Sequence, residues 1–250
     1  MGAPLTGDAP RLFLCDIDGC LAEPYRPFDL VGFARLAEAI RRAGAPPFAL
    51  LTGRAYGYTE AVAQALALAA PAFFEAGAGA FLLPEARTLW HPLVSDAHLA
   101  SLDAVRRWFV SDLLPAHPAL AFDFGKRAQV GVIGPDAAQV RSAADRTRRF
   151  VEGGFPGLTV FQTDVSVDVL VDGLTKGDAL GWIADVTGVP VSAMAFVGDS
   201  EGDLGALRRV GRPFAPANAT VAVQAVAETM PSPGLAGVLE AYARFAGDAP

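Results

Sequence analysis

The sequence predicts an α/β protein: a parallel sheet covered by helices on both faces, with a second, α+β domain inserted into it. Three observations carry this. Short apolar runs alternate with helix-period segments at both ends of the chain, as strands and crossover helices do. The middle instead holds adjacent strand-like segments between two helices, the pattern of an antiparallel sheet with helices on one side. The length of 250 residues exceeds the usual domain of about 100–200 and leaves room for a core plus a module.

The elements follow in order. Arg11–Cys15 is an apolar run ending in acidic residues and Gly19, a buried strand running into a loop. Leu30, Phe33, Ala37 and Ile40 recur at helical spacing, and Gly44 is expected to stop that helix. Phe48–Leu51 is a second strand, ending in Thr52-Gly53-Arg54, and a helix-like stretch to Ala70 follows. The apolar segment Ala61–Phe74 is too short for a membrane span of roughly 20 residues and reads as a core helix. In the middle, helices are expected at Asp96–Leu113 and Asp136–Val151, and strands at Ala121–Phe124, Gln129–Ile133, Leu158–Phe161 and Val165–Val171. The alternation resumes with a helix at Ala179–Val186, a strand at Met194–Val197, a helix at Leu204–Val210 and a strand at Pro213–Ala215. The expected domains are a discontinuous core of residues 1–87 and 170–250 and an inserted domain of residues 88–169.

Composition narrows the function classes. At 52% hydrophobic and 19% charged residues the chain is compact and globular. A formal charge of -7 disfavours nucleic acid and anionic membranes as partners, since both demand a basic face. The N-terminus has Pro4 and Asp8 where a secretory signal needs a basic start and an apolar run, so the expected compartment is the cytoplasm. Cys15 and Cys20 make no disulfide framework, which agrees with a reducing compartment. His91, His98 and His117 lack metal-ligand spacing and read as surface or loop residues. Gly2 with Thr6 fits a myristoylation pattern and Asn218-Ala219-Thr220 a glycosylation sequon, both short patterns at odds with the rest. A frayed tail is expected at Gly247–Pro250.

The chemistry concentrates at strand ends. Asp16 and Asp18, two residues apart, point to one side if the extended geometry persists. Like charges this close are relieved by a divalent cation, a proton on one of them, or both, although turn chemistry alone also favours Asp there. An EF-hand loop is excluded by Cys20 and the early Gly19. In parallel sheets ligands gather beyond the carboxyl ends of the strands, where Asp16, Thr52 and Asp199 would all stand.

Four segments taken together, Asp16-Ile17-Asp18-Gly19-Cys20-Leu21, Thr52-Gly53-Arg54, Lys176 in Thr175–Leu180, and Gly198-Asp199-Ser200-Glu201-Gly202-Asp203, resemble the phosphatase motifs of the haloacid dehalogenase superfamily in order and placement. The insertion between Thr52 and Lys176 resembles the Cof-type branch, with an α+β type IIB cap on a Rossmann-like core. That branch includes sugar-phosphate, phosphoglycolate, sucrose-phosphate and mannosylphosphoglycerate phosphatases.

The resemblance implies a phosphatase of a small phosphorylated metabolite that uses Mg²⁺ and an aspartyl-phosphate. Asp16 would be the nucleophile and Asp18 the general acid and base, with Thr52 and Lys176 compensating the phosphoryl charge. Mg²⁺ would be held by Asp16, the Asp18 carbonyl and Asp199, with Asp203 either an outer ligand or the anchor of Lys176. Gly19, Thr52, Gly53 and Lys176 would bind phosphate, the Gly19 N–H donating to it. Ser200 reads as structural. Arg54, Lys126, Arg127 and Asp164 are candidates for contacts to the rest of the substrate, and the cap would close over the site. Two positions depart from the branch: Gly202 stands where Asn precedes the last Asp, and Glu75-Ala76-Gly77-Ala78 where an Asn-Gly pair is common. Phosphomutase-like transfer to a sugar hydroxyl and a non-catalytic phosphometabolite-binding protein are the competing readings. Either a monomer or a homodimer is compatible.

Overall fold

A computed structural model of the chain describes residues 11–247. Gly2, Thr6 and the tail beyond Gly247 lie outside the described residues. The chain divides into two compact units, one formed by residues up to Leu89 with those from Thr175 onward, the other by Trp90–Leu174.

The first unit begins with β1 (Leu12–Cys15), α1 (Leu30–Ile40), β2 (Phe48–Leu51), α2 (Tyr56–Ala65), β3 (Ala72–Phe74), β4 (Gly79–Leu82) and β5 (Arg87–Trp90). The second contains α3 (Asp96–Trp108), α4 (Leu114–Ala116), β6 (Ala121–Asp123), β7 (Gln129–Ile133), α5 (Ala137–Glu152), β8 (Leu158–Gln162) and β9 (Ser166–Val171). The chain then returns to the first unit with α6 (Leu180–Thr187), β10 (Met194–Val197), α7 (Leu204–Leu207), β11 (Arg212–Ala215), α8 (Val221–Gln224), β12 (Glu228–Thr229) and α9 (Gly234–Gly247).

The sheet of the first unit has the order β12-β11-β10-β1-β2-β3-β4-β5. It is parallel from β12 to β3, and β4 turns back antiparallel to β3. The central strand β1 lies between β2 and β10, so the residues that follow these three strands become neighbours although they are far apart in sequence. Both faces are covered. Phe13 and Cys15 point into a cluster with Phe33, Leu36, Val238 and Tyr242, while Leu12 and Leu14 point into another with Leu180, Ile183 and Leu207. A strand buried on both sides needs apolar residues at every position, which is why β1 and β2 read as unbroken apolar runs.

The sheet of the second unit is antiparallel in the order β6-β7-β9-β8. Its two long helices start at side-chain caps: Asp136 accepts from the N–H groups of Ala138 and Gln139, and Ser95 forms a capping box with His98. Val140, Ala143, Ala144, Thr147 and Val151 are the buried stripe of α5.

Several expectations are corrected. Ala61–Phe74 is not one helix: α2 ends at Ala65, Ala67 turns at φ 52, and Ala72–Phe74 is a buried strand. Pro71 has no N–H to continue a helix, and the paired phenylalanines favour a sheet. Helix α1 ends before Gly44, capped at Arg41. Helix α3 does not stay α-helical to Leu113; Phe109–Leu113 is a π turn. Helix α7 stops at Leu207 rather than at Val210. His117 is buried, 4% exposed, with Nδ1 at 2.8 Å from Leu113 O and Nε2 at 3.1 Å from Ser142 Oγ. Two polar partners reached through the fold satisfy an imidazole that its sequence neighbours left looking superficial. Among the described residues no helix is long and apolar enough to cross a membrane.

Candidate active site

Asp16 is the first residue past β1, and its N–H donates to Val197 O of β10 at 3.0 Å. The chain then folds back on itself: the N–H groups of Cys20, Leu21 and Ala22 all donate to Ile17 O. Gly19 takes φ +72, and a Cβ there would lie 2.0 Å from Asp199 Oδ2. Two demands therefore select glycine, a left-handed backbone and the close approach of a carboxylate. The Gly19 N–H, expected to donate to phosphate, is here engaged inside the turn, 2.8 Å from Ala22 O.

Lys176 is buried and lies between two acids, with Nζ 2.8 Å from Asp16 Oδ2 and 2.6 Å from Asp203 Oδ1. Gly177 makes this approach possible, since a Cβ there would meet the Gly205 backbone carbonyl carbon at 2.6 Å. Burial disfavours the Lys176 ammonium, but Asp16 and Asp203 outweigh it and hold the lysine protonated. Asp203 is fully buried, and its Oδ2 accepts from Asp199 N at 3.0 Å, Ser200 N at 3.0 Å and Ser200 Oγ at 3.2 Å. Both of its oxygens are thus engaged by protein donors. Of the two roles open to it, the geometry favours the anchor, which fixes Lys176 and the backbone carrying Asp199. No side chain at Gly202 enters this arrangement.

Carboxylate oxygens of Asp16, Asp199 and Asp203 lie within 4.8 Å of one another. With all three ionised, one ammonium stands against them and two negative charges remain to be met. Asp16 Oδ1 is buried with no hydrogen-bond partner among the described residues. An orphaned carboxylate oxygen is costly unless something compensates it. Burial pushes the Asp16 pKa up to about 7 despite Lys176, and burial with the Asp16 charge pushes Asp199 up to about 7. A hard divalent cation suits all three features: oxygen ligands, an excess of two negative charges, and an unsatisfied oxygen. Asp16 and Asp199 are the side chains that would hold it.

Asp18 points elsewhere. Its carboxylate is gripped at both oxygens by Arg54, with Nε and Nη2 each at 2.6 Å, and the guanidinium lies 5.2 Å from the Tyr25 ring centroid and 4.8 Å from that of Tyr58. Arg54, expected to contact substrate, is here the partner of Asp18. Thr52 is fully buried, and its Oγ1 accepts from Arg54 N at 3.2 Å. A Cβ at Gly53 would meet nothing within 4 Å, so the protein itself does not demand its small size. The loop after β3 supports this segment: Glu75, Ala76 and Gly77 have φ of 50, 57 and 93, and Glu75 N and Ala76 N donate to Arg54 O and Thr52 O. Glu75 and Ala76 are strained as non-glycine residues at left-handed φ, while Gly77 adopts it freely, and the two bonds hold the strain in place.

In the second unit Lys126 does not stand free for a substrate anion. Its side chain is 8% exposed, and Nζ lies 2.8 Å from both Asp123 Oδ2 and Asp168 Oδ1. Gly131 makes room, since a Cβ there would fall 2.4 Å from Asp168 Oδ1. Arg127 is exposed, 5.5 Å from the Trp90 ring centroid, and Asp164 is exposed in the turn between β8 and β9. Sequence reading missed Tyr25, Tyr58 and the part played by Asn218. The Asn218 amide donates to Gly19 O at 2.9 Å and accepts from Gly234 N at 2.7 Å, which leaves little of the sequon reading.

Comparison with known proteins agrees with this geometry. Residues 138–237 match the haloacid dehalogenase-like hydrolase family. A phosphoglycolate phosphatase of Pyrobaculum aerophilum is 34% identical over 95 residues, which are 38% of this chain and 41% of that protein. The match thus spans about two fifths of that relative's length. The crystal structure of a Thermoplasma acidophilum protein has a TM-score of 0.74 at 18% identity, covering 95% of this chain and 98% of that one. Sucrose-phosphatase from Synechocystis, solved with sucrose and phosphate, has a TM-score of 0.65 at 19% identity, covering 95% and 98%. These two likenesses are of fold. The segment that supplies Lys176, Asp199 and Asp203 is thus similar to the haloacid dehalogenase-like hydrolase family, and the fold is shared with the Thermoplasma protein over nearly the whole length of the chain.

Proposed function

We propose that this chain is a Mg²⁺-dependent phosphatase that hydrolyses a small phosphorylated metabolite through an aspartyl-phosphate on Asp16. The observation that carries the reading is Asp16 itself: a buried carboxylate with one oxygen on Lys176 and the other unpartnered among the described residues, beside Asp199. A carboxylate attacks phosphorus only where the repulsion between two anions is cancelled, and Lys176 supplies one positive charge there. Bound divalent ion would neutralise phosphoryl charge and hold the phosphate in line.

The residues then divide the work. An Asp16 oxygen bonds to phosphorus as the bond to the leaving oxygen breaks, and Asp18 gives that oxygen a proton. Asp18 next takes a proton from water, whose oxygen displaces Asp16 and releases inorganic phosphate. For either step Asp18 must leave Arg54, so opening of that ion pair belongs to the cycle. Lys176 and Thr52 bind the equatorial oxygens.

Sugar phosphates and phosphorylated acids are the substrate class, and the names of the similar proteins single out phosphoglycolate and sucrose phosphate for a first panel. Buried Cys15 and Cys20, free in the structure and with thiol pKa values pushed up by burial, suit a cytoplasmic enzyme. The test is hydrolysis of p-nitrophenyl phosphate and of this panel with Mg²⁺, with EDTA, and in Asp16→Asn. Turnover that depends on both the ion and Asp16 is expected, and equal turnover in all three arms ends the proposal.

A further inference from the structure

We infer that Asn218 is a positioning residue of the divalent-ion site, acting through the peptide of Gly19; the inference rests on the divalent-ion reading above. The reason lies in what one short loop holds. Between β11 and α8 the chain runs through Pro216–Thr220, and two of its groups reach opposite walls of the acidic cluster. On one wall, Thr220 N–H donates to Asp199 O at 2.9 Å and fixes the backbone that carries the carboxylate. On the other, Asn218 Nδ2 donates to Gly19 O at 2.9 Å. These walls touch, since the Gly19 Cα packs so closely on Asp199 that an added Cβ would fall 2.5 Å from its carboxyl carbon. The loop therefore sets the gap in which the Asp199 carboxylate must lie.

The orientation of the amide follows from its partners. Gly19 offers a carbonyl and needs a donor, while Gly234 offers an N–H and needs an acceptor, so Nδ2 faces the first and Oδ1 the second. The two halves have separable effects. The Gly234 bond ties the loop to the start of α9, which is structural. The Gly19 bond restrains the turn that presses on Asp199, and outer partners of this kind are worth about 10–100-fold in metal affinity when removed.

Calorimetric titration with Mg²⁺ separates them. Asn218→Asp keeps the acceptor for Gly234 N–H and sets a carboxylate oxygen against Gly19 O; Asn218→Ala removes both bonds. Gln224→Ala is the control, because Gln224 Nε2 holds Ala217 O at 3.3 Å and Ala219 O at 2.8 Å and so loosens the same loop without touching Gly19. Both Asn218 variants are expected to bind Mg²⁺ at least about tenfold more weakly, with Gln224→Ala near wild type. An Asn218→Asp affinity within twofold of wild type overturns the inference. So does an equal loss in Gln224→Ala, which would make the effect general loosening. A wild-type protein that binds no Mg²⁺ brings down the ion reading and this inference with it, whereas a wild type that binds Mg²⁺ but shows no phosphatase activity leaves the comparison intact.

Discussion

Asp203→Asn tests whether this residue anchors the site. In the folded protein Asp203 is fully buried and engages four donors: Lys176 Nζ at Oδ1, and Asp199 N, Ser200 N and Ser200 Oγ at Oδ2. An amide can keep one oxygen toward the Asp199 and Ser200 groups, but it then turns an NH₂ toward the ammonium. Removing one partner from a buried ion pair costs about 3–5 kcal/mol, because the remaining charge stays desolvated. Lys176 retains Asp16, 2.8 Å away, so the lower end of that range is expected. At about 2–4 °C per kcal/mol for a chain of this size, the unfolding midpoint should fall by about 6–12 °C. Thermal unfolding followed by circular dichroism at pH 7.5, with EDTA and then with Mg²⁺, measures it. The anchor reading also requires weaker Mg²⁺ binding, since Lys176 loses the charged partner that fixes it beside Asp16. A midpoint lowered by less than about 2 °C together with unchanged Mg²⁺ affinity refutes the reasoning, because a full-strength buried pair cannot vanish at so small a cost.

Four further outcomes follow. Asp16 and Asp199 both titrate near pH 7, so protons compete with the ion, and Mg²⁺ affinity measured by calorimetry should fall about 100-fold from pH 8 to pH 6, tenfold for each carboxyl. Both acids are weaker folded than unfolded, so the folded chain binds more protons between about pH 4 and 7, and the metal-free protein should lose stability as pH rises through that window. A denaturation series across pH with EDTA shows the sign. Gly19→Ala places a Cβ against Asp199 Oδ2 at a left-handed backbone position costing about 1–2 kcal/mol, so Mg²⁺ binding should weaken by more than tenfold while the fold survives; an unchanged affinity rejects the close approach as a constraint. Lys126→Met leaves Asp123 and Asp168 facing each other and should destabilise the second unit by about 3–5 kcal/mol with Mg²⁺ affinity unchanged, which a melt and a titration on the same sample decide.

The fold was largely legible because its signals are local. Apolar runs at Leu12–Cys15, Phe48–Leu51 and Met194–Val197 mark strands buried on both faces, and the acidic or polar residue that ends each run marks where the sheet opens to solvent. Where two elements shared one apolar composition, as in Ala61–Phe74, periodicity could not divide helix from strand, and only the pairing of Ala72 and Phe73 with Leu50 and Leu51 did. The site was legible in a narrower sense. Residue types named Asp16, Lys176, Asp199 and Asp203 as chemically capable; the adjacency of β1 and β10 brought the three acids together, and the segment before α6 set Lys176 between two of them.

What the linear chain by itself determined was which segments form strands and helices and which side chains carry charge, since both are written in neighbouring residues. Tertiary structure alone decided who meets whom. Arg54 holds Asp18 across 36 positions, Lys126 meets Asp168 across 42, and Asn218 reaches Gly19 across 199. A cation reads the same in sequence whether it awaits a substrate or is already paired. Burial beside a carboxylate is what distinguishes the two, and burial belongs to the packed molecule.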